Sequence, residues 1–230
     1  MSTIGISLGG SVISKETGFD KSFASDLAHL IADSVPPHRF IITTGGGYLA
    51  RSWITKDGTA RSAYWKDKIG IEATRANALT FRDMLSEHGV KGVSNSLPTN
   101  DNQLEQIITS DHVIVFGGLL PGITTDACVV HACEMVDGKL VINISETNYI
   151  YDDNPNTNPA ANRFEYLTHD ELVRLAATMD RRKPGTNFPF DLVACAWARR
   201  SEITVKFVKP EISSIAAIIR GEEHDGTTVS

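Results

Sequence analysis

"RFIITTGGGYLAR", Arg39 to Arg51, decides the fold. An apolar, β-branched run from Phe40 to Thr44 stops at three consecutive glycines, and a helical pattern follows. A strand without polar alternation is buried on both faces, which marks a mostly parallel sheet covered by helices on either side. Gly45, Gly46 and Gly47 then sit at the carboxyl end of that strand, where open α/β sheets bind ligands.

Two further strands end the same way: "ISLGGS" with Gly9 and Gly10, and "VFGGLLPGITTDA" with Gly117, Gly118 and Gly122. Glycine lets backbone N–H groups approach an anion, and the following helix points its positive end at it. One such pair is an ordinary tight turn. Three on one sheet edge describe a site that grips more than one phosphate group. None has the spacing of GxGxxG with a ribose-binding acid or of GxxxxGK[ST], so the dinucleotide and Walker-A readings fail.

The rest of the chain continues the alternation. Strands are predicted at 3–8, 39–44, 90–95, 111–116, 139–144, 203–208 and 226–229, with 111–116 and 139–144 central. Helices are predicted at 20–35, from Gly45, at 64–88, 124–136, 167–179, 190–200 and 212–221. Thr168 with Glu171 three residues on reads as a capping box. The 230 residues suit one large domain, and no repeat or long linker divides them.

The formal charge of −6, without a Lys/Arg run, argues against a nucleic-acid surface. The N-terminus reads as no secretory signal, and no segment approaches the roughly 20 apolar residues of a membrane span. Cys128, Cys133 and Cys195 are odd in number and lack CxxC spacing. They read as buried thiols rather than a disulfide framework or zinc site, so the expected compartment is the cytoplasm.

"VINISETNYIYDDNPN" (141–156) passes from buried strand into an acidic, Asn-rich loop. With Asp152 as first ligand of a calcium loop, the sixth place is Thr157 instead of Gly and the twelfth is Arg163 instead of Glu. That fails the EF-hand pattern, and no metal site is assigned.

In order along the chain, "ISLGGSVIS", "GGGYLAR", "KDKIGIEATRANA", "GGLLPGITTDA", "NYIYDDNP", "LTHDEL" and "GTT" resemble the amino acid kinase family, most of all its archaeal-type uridylate (UMP) kinases. The resemblance runs from Ile6 to Thr228. It implies a three-layer αβα sandwich around a mostly parallel sheet, a homohexamer, and transfer of the ATP γ-phosphate to UMP with Mg²⁺. It divides the single domain 1–230 into an acceptor and oligomer half, about 1–135, and an ATP half, about 136–230.

The resemblance also assigns roles. Gly9, Gly10 and Ser11 would cradle the transferred phosphoryl group, with Asp126 and Asp191 organising the transfer centre. Gly46, Asp67 and the span Leu119, Leu120, Pro121, Gly122, Ile123, Thr124 and Thr125 would hold UMP, the two threonines donating hydroxyls. ATP would meet Gly9, Gly10, Gly47, Arg51, Ser145, Glu146, Tyr151 and Asn154. Simpler readings stand beside these. Asp67, Asp126 and Asp191 also suit helix-start acids, and Arg51 suits a solvated face.

Several positions depart from the family pattern. Ser7 stands where many relatives carry a first-strand lysine, Ala196 replaces a helix lysine, and Ile123 replaces a histidine. Phosphate charge would then fall to Lys15, Arg51, Mg²⁺ or the run Arg181, Arg182, Lys183. The donor loop changes most: an Asp-Gly turn in relatives is Asn148-Tyr149 here, and Glu146 adds a negative charge beside a polyphosphate. A tyrosine there is costly unless the turn type changes. These departures keep open a second function: a nucleotide- or oxoanion-binding storage protein of the same fold, or a kinase for another small acceptor.

Overall fold

The computed structural model describes residues 1–58, 62–155, 157–179 and 189–230. Strand β1 (Ser2–Leu8) leads through the short α1 (Gly10–Ile13) into a hairpin, β2 (Ser14–Lys15) and β3 (Gly18–Phe19). Helix α2 (Lys21–Ser34) follows, its first turn capped by Asp20, which accepts from the Phe23 N–H at 3.2 Å. Next come β4 (His38–Thr44), α3 (Gly47–Lys56), the long α4 (Ala63–Glu87), α5 (Asp101–Ile107) and β5 (Val113–Phe116). The second half runs α6 (Thr125–Met135), β6 (Leu140–Ile144), β7 (Ile150–Tyr151), β8 (Arg163–Phe164) and β9 (Tyr166–Leu167). It closes with α7 (His169–Met179), α8 (Leu192–Arg200), β10 (Thr204–Val208), α9 (Ile212–Ile219) and β11 (Thr228–Val229). The capping box at Thr168 and Glu171 is present, with both hydrogen bonds to Glu171 at 2.8 Å.

The main sheet has seven strands in the order β5-β4-β1-β6-β10-β11-β9. The first five are mutually parallel, and β11 runs antiparallel to β10. Alternate residues of each strand serve opposite cores. Ile4, Ile6 and Leu8 of β1 join α2, α4 and α9 on one face. Ile41, Val141 and Val205 join α6, α7 and α8 on the other. This is the expected three-layer αβα sandwich. All three cysteines are buried, with Cys128 and Cys133 inside α6.

Two expectations need correction. Residues 90–95 form only an isolated bridge, Val93 to Val113, instead of a strand. The 111–116 strand lies at the sheet edge instead of its centre. Val113 to Phe116 is nevertheless fully buried, because helices cover both faces and the 92–94 segment covers the edge. Ser94 N–H donates to the Val113 carbonyl at 2.8 Å, and Gly92 accepts from the N–H groups of His112 and Val113 at 3.0 Å each. An apolar run reports burial; it does not report how many strands flank it.

Two close approaches fix the site's frame. A Cβ at Gly5 would lie 2.6 Å from Cys133 Sγ, so Gly5 lets α6 sit low on β1. A Cβ at Gly10 would lie 2.1 Å from the Gly47 nitrogen, and one at Gly45 would lie 2.4 Å from the Gly10 nitrogen. The first two glycine loops thus touch backbone to backbone. Gly10→Ala should therefore destabilise the protein by about 1–3 kcal/mol, through overpacking against rigid backbone. Gly70→Ala, inside α4 with its nearest neighbour 3.9 Å away, should stabilise it by roughly 0.5–1 kcal/mol. Urea-denaturation midpoints of the two variants check both signs.

Candidate functional site

The carboxyl ends of β1, β4, β5 and β6 lie at one edge, and the site is built there. Register places Thr43, Ser7 and Asn143 side by side on three adjacent strands. They share the face that packs on α6, two residues beyond Ile41, Gly5 and Val141. Helix α6 starts directly above them. Thr43 Oγ1 donates to the Thr125 carbonyl at 3.0 Å. Ser7 Oγ donates to Asp126 Oδ1 at 2.5 Å, and Asn143 Nδ2 donates to the same oxygen at 3.0 Å. Asn143 is 3% exposed.

The Asp126 carboxyl is raised to about 7: burial is the largest cause and the nearby Asp191 adds to it, while hydrogen bonds from Ser7 and Asn143 oppose the rise. Among the described residues no cation pairs with Asp126. Asp191 is buried as well. Its Oδ1 caps α8, accepting from the Val193 and Ala194 N–H groups at 2.9 and 3.3 Å. Its Oδ2 accepts from the Thr124 hydroxyl, which itself caps α6. Asp191 thus couples the starts of α6 and α8.

Helix α4 staples the glycine loops, which explains the motif from Lys66 to Ala78. Asn77 Nδ2 donates to the Gly45 carbonyl at 2.8 Å. Thr74 Oγ1 accepts from the Gly118 N–H at 2.7 Å, and Arg75 Nε donates to the Gly118 carbonyl at 3.2 Å. Asp67 lies in the second turn of α4 instead of ahead of the helix. Its Oδ2 accepts from the Gly122 N–H at 3.0 Å, which ties α4 to the 119–125 loop. Gly122 has φ +90° and Leu120 is half exposed, whereas Leu119 is buried.

Gly9, Gly10, Gly45, Gly46 and Gly47 come together, with Ser11 in α1 just beyond. The Gly9 N–H donates to the Ile144 carbonyl at 2.9 Å, so the loop that starts at Ser145 borders the same seam. The Thr124 hydroxyl donates to Asp191, whereas Thr125, the first residue of α6, accepts at its carbonyl from Thr43. Ile123 packs against the core. Arg51 is exposed on α3, Tyr151 pairs with Arg163 in a small separate ribbon, and Asn154 lies in an exposed turn beyond it. No described contact joins these three to the seam. Arg181, Arg182 and Lys183 lie outside the described residues.

The donor loop solves its turn problem in a way the sequence conceals. Neither Asn148 nor Tyr149 has positive φ. Both are buried and held by Asp225: Asn148 Nδ2 donates to Oδ2 at 2.8 Å and the Tyr149 hydroxyl to Oδ1 at 2.7 Å. The Arg163 guanidinium lies 4.5 Å from the Tyr149 ring centroid. The contacts of Ser7, Thr74, Asn77, Asn143 and Asp225 build the site, and the sequence alone assigns none of them.

The family model described as the amino acid kinase family matches residues 3–209, and the chain belongs to that family. It is 33% identical over 228 residues to a uridylate kinase of Thermoplasma volcanium, covering 99% of this chain and 97% of that one. It is 30% identical over 222 residues to a uridylate kinase of Methanosarcina acetivorans, covering 95% and 91%. The crystal structure of uridylate kinase from Archaeoglobus fulgidus superposes with a TM-score of 0.83 at 27% identity, over all of both chains.

The raised Asp126 pKa sets a pH dependence of stability. An acid that binds its proton more tightly folded than unfolded adds stability below its unfolded pKa. That contribution is lost as pH rises through the folded value. Between pH 5 and 8 the wild-type urea midpoint should fall, and Asp126→Asn should remove that part of the fall. Parallel pH profiles of the two proteins would contradict the assignment.

Proposed function

We propose that this protein is an ATP-dependent UMP kinase: ATP and UMP give ADP and UDP. The observation that carries the reading is the backbone seam of Gly9–Gly10 against Gly45–Gly47, with Asp126 and the start of α6 beside it. A loose, charge-rich phosphoryl transfer needs alignment and electrostatic stabilisation more than covalent help. Glycine N–H groups supply donors that cannot titrate.

A UMP phosphate oxygen bonds to the γ-phosphorus as the bond to the ADP oxygen breaks. Gly46, Asp67 and residues 119–125 hold UMP, with Thr125 donating its hydroxyl. Gly47, Arg51, Ser145, Glu146, Tyr151 and Asn154 serve ATP. Gly9, Gly10 and Ser11 hold the transferred group, while Asp126 and Asp191 fix the helices that frame it. Mg²⁺ enters as part of MgATP, neutralising phosphate charge where Ser7 and Ala196 bring none. Near-full-length similarity to uridylate kinases favours transfer over storage.

The chain divides functionally at about residue 135 into acceptor and donor halves. Cytoplasmic pyrimidine nucleotide biosynthesis and a homohexamer complete the reading. No described helix is long and apolar enough to cross a membrane. Half-exposed Tyr64 and Trp65 on α4 supply apolar surface for a subunit contact.

Purified protein with MgATP should release ADP with UMP at a rate on the order of 1–10³ per second, in preference to CMP, acetylglutamate or isopentenyl phosphate. Release with one of those and none with UMP would overturn the acceptor. Asp67→Ala should raise the KM for UMP about tenfold, a loss of about 1.4 kcal/mol, and leave that for MgATP unchanged.

A further inference from the structure

An ion pair joins the hairpin that follows β1 and α1 to the loop that follows β6, the two segments that flank Gly9. Lys15 Nζ meets Glu146 Oε1 at 3.0 Å. The two residues are 131 apart in sequence and come from opposite walls. Lys15 is in β2, directly after α1, and its neighbour Ser14 accepts from the Leu49 N–H at 3.1 Å, which ties the hairpin to α3. Glu146 follows Ser145, whose N–H donates to the Val208 carbonyl at 3.0 Å. Between these walls runs Gly9, bonded to the Ile144 carbonyl. The Gly9–Ile144 bond and the Lys15–Glu146 pair are two links between the segment that follows β1 and the segment that follows β6.

The loop carrying Glu146 is braced. Ser145 Oγ donates to the Thr147 carbonyl at 2.7 Å, and Asp225 grips the next two side chains, Asn148 and Tyr149. The carboxylate is therefore held at this mouth by its backbone. The pair itself is exposed, with side-chain accessibilities of 40% and 55%. Exposed pairs of this kind contribute little to stability and are cheaply exchanged. A polyphosphate carries several charges and displaces one carboxylate from a lysine. Once displaced, Glu146 faces like charge, and that repulsion falls when a divalent cation neutralises the phosphates.

We propose that Lys15 and Glu146 form a charge filter at the donor mouth: Lys15 exchanges Glu146 for nucleotide phosphate, and Glu146 then makes the site favour metal-complexed over free nucleotide. The inference rests on the donor-site reading above. It names Lys15 as a phosphate contact and Glu146 as a determinant of the form in which nucleotide is accepted.

Calorimetry with ADP, with and without Mg²⁺, tests it on the full chain. Glu146→Gln should tighten metal-free ADP about three- to tenfold and MgADP less, narrowing the ratio of the two affinities. Lys15→Met should weaken both forms. In the Lys15→Met background, Glu146→Gln should still tighten metal-free ADP, because the repulsion acts without the lysine. These differences should shrink at about 1 M salt, where screening reaches a few ångströms. UMP affinity serves as the folding control and should stay constant. An unchanged ratio in Glu146→Gln, or unchanged ADP affinity in Lys15→Met, would overturn the filter. Correct nucleotide shifts without ADP release from UMP would overturn the kinase reading and leave the filter standing.

Discussion

Everything at this site depends on how the start of α6 is fastened to the sheet. Thr43, Ser7 and Asn143 form one polar row at the ends of three adjacent parallel strands, in a layer otherwise filled by apolar side chains. Each meets the first turn of α6, and two of them share Asp126 Oδ1. Gly5 permits the close approach. The helix carries the 119–125 loop on its N-terminal side, so its height above β1 fixes where that loop sits against the glycine seam.

A largely desolvated carboxylate without a cation is costly unless hydrogen-bonded or protonated. Asp126 uses both routes: it accepts from Ser7 and Asn143, and its pKa rises to about 7. The serine at position 7 thus has a structural part of its own. Where many relatives have an ammonium group, this chain has a hydroxyl that completes the acid's hydrogen bonding and supplies no charge. On the proposed kinase reading, positive charge for phosphate comes from Mg²⁺ and from the rim, where Lys15 is held by Glu146.

Much of the architecture is readable along the chain, because apolar strands, glycine stops and capping boxes are local signals. The parallel sheet, α6 and the three strand-end glycine loops follow from them. What is not readable is lateral order. Residues 111–116 look central because they are fully buried, yet a covered edge produces the same pattern. The Ser7–Asn143 pairing exists only once β1 lies beside β6, and no spacing in the sequence encodes it. The Asp225 clasp is hidden for the same reason: it joins residues 76 and 77 apart. It explains how Asn148-Tyr149 replaces an Asp-Gly turn without positive φ. The resemblance points to Asp67, but its bond to Gly122 is visible only in the fold.

On the kinase reading, donor and acceptor phosphates meet on the Gly9–Gly10 and Gly45–Gly47 seam beside Asp126. A crystal structure with UMP and a non-hydrolysable ATP analogue tests it most directly. The UMP phosphate and the γ-phosphate analogue should face each other across that seam, with backbone N–H groups of both glycine loops directed at them. Phosphates bound elsewhere, with the seam in contact with neither nucleotide, would contradict it.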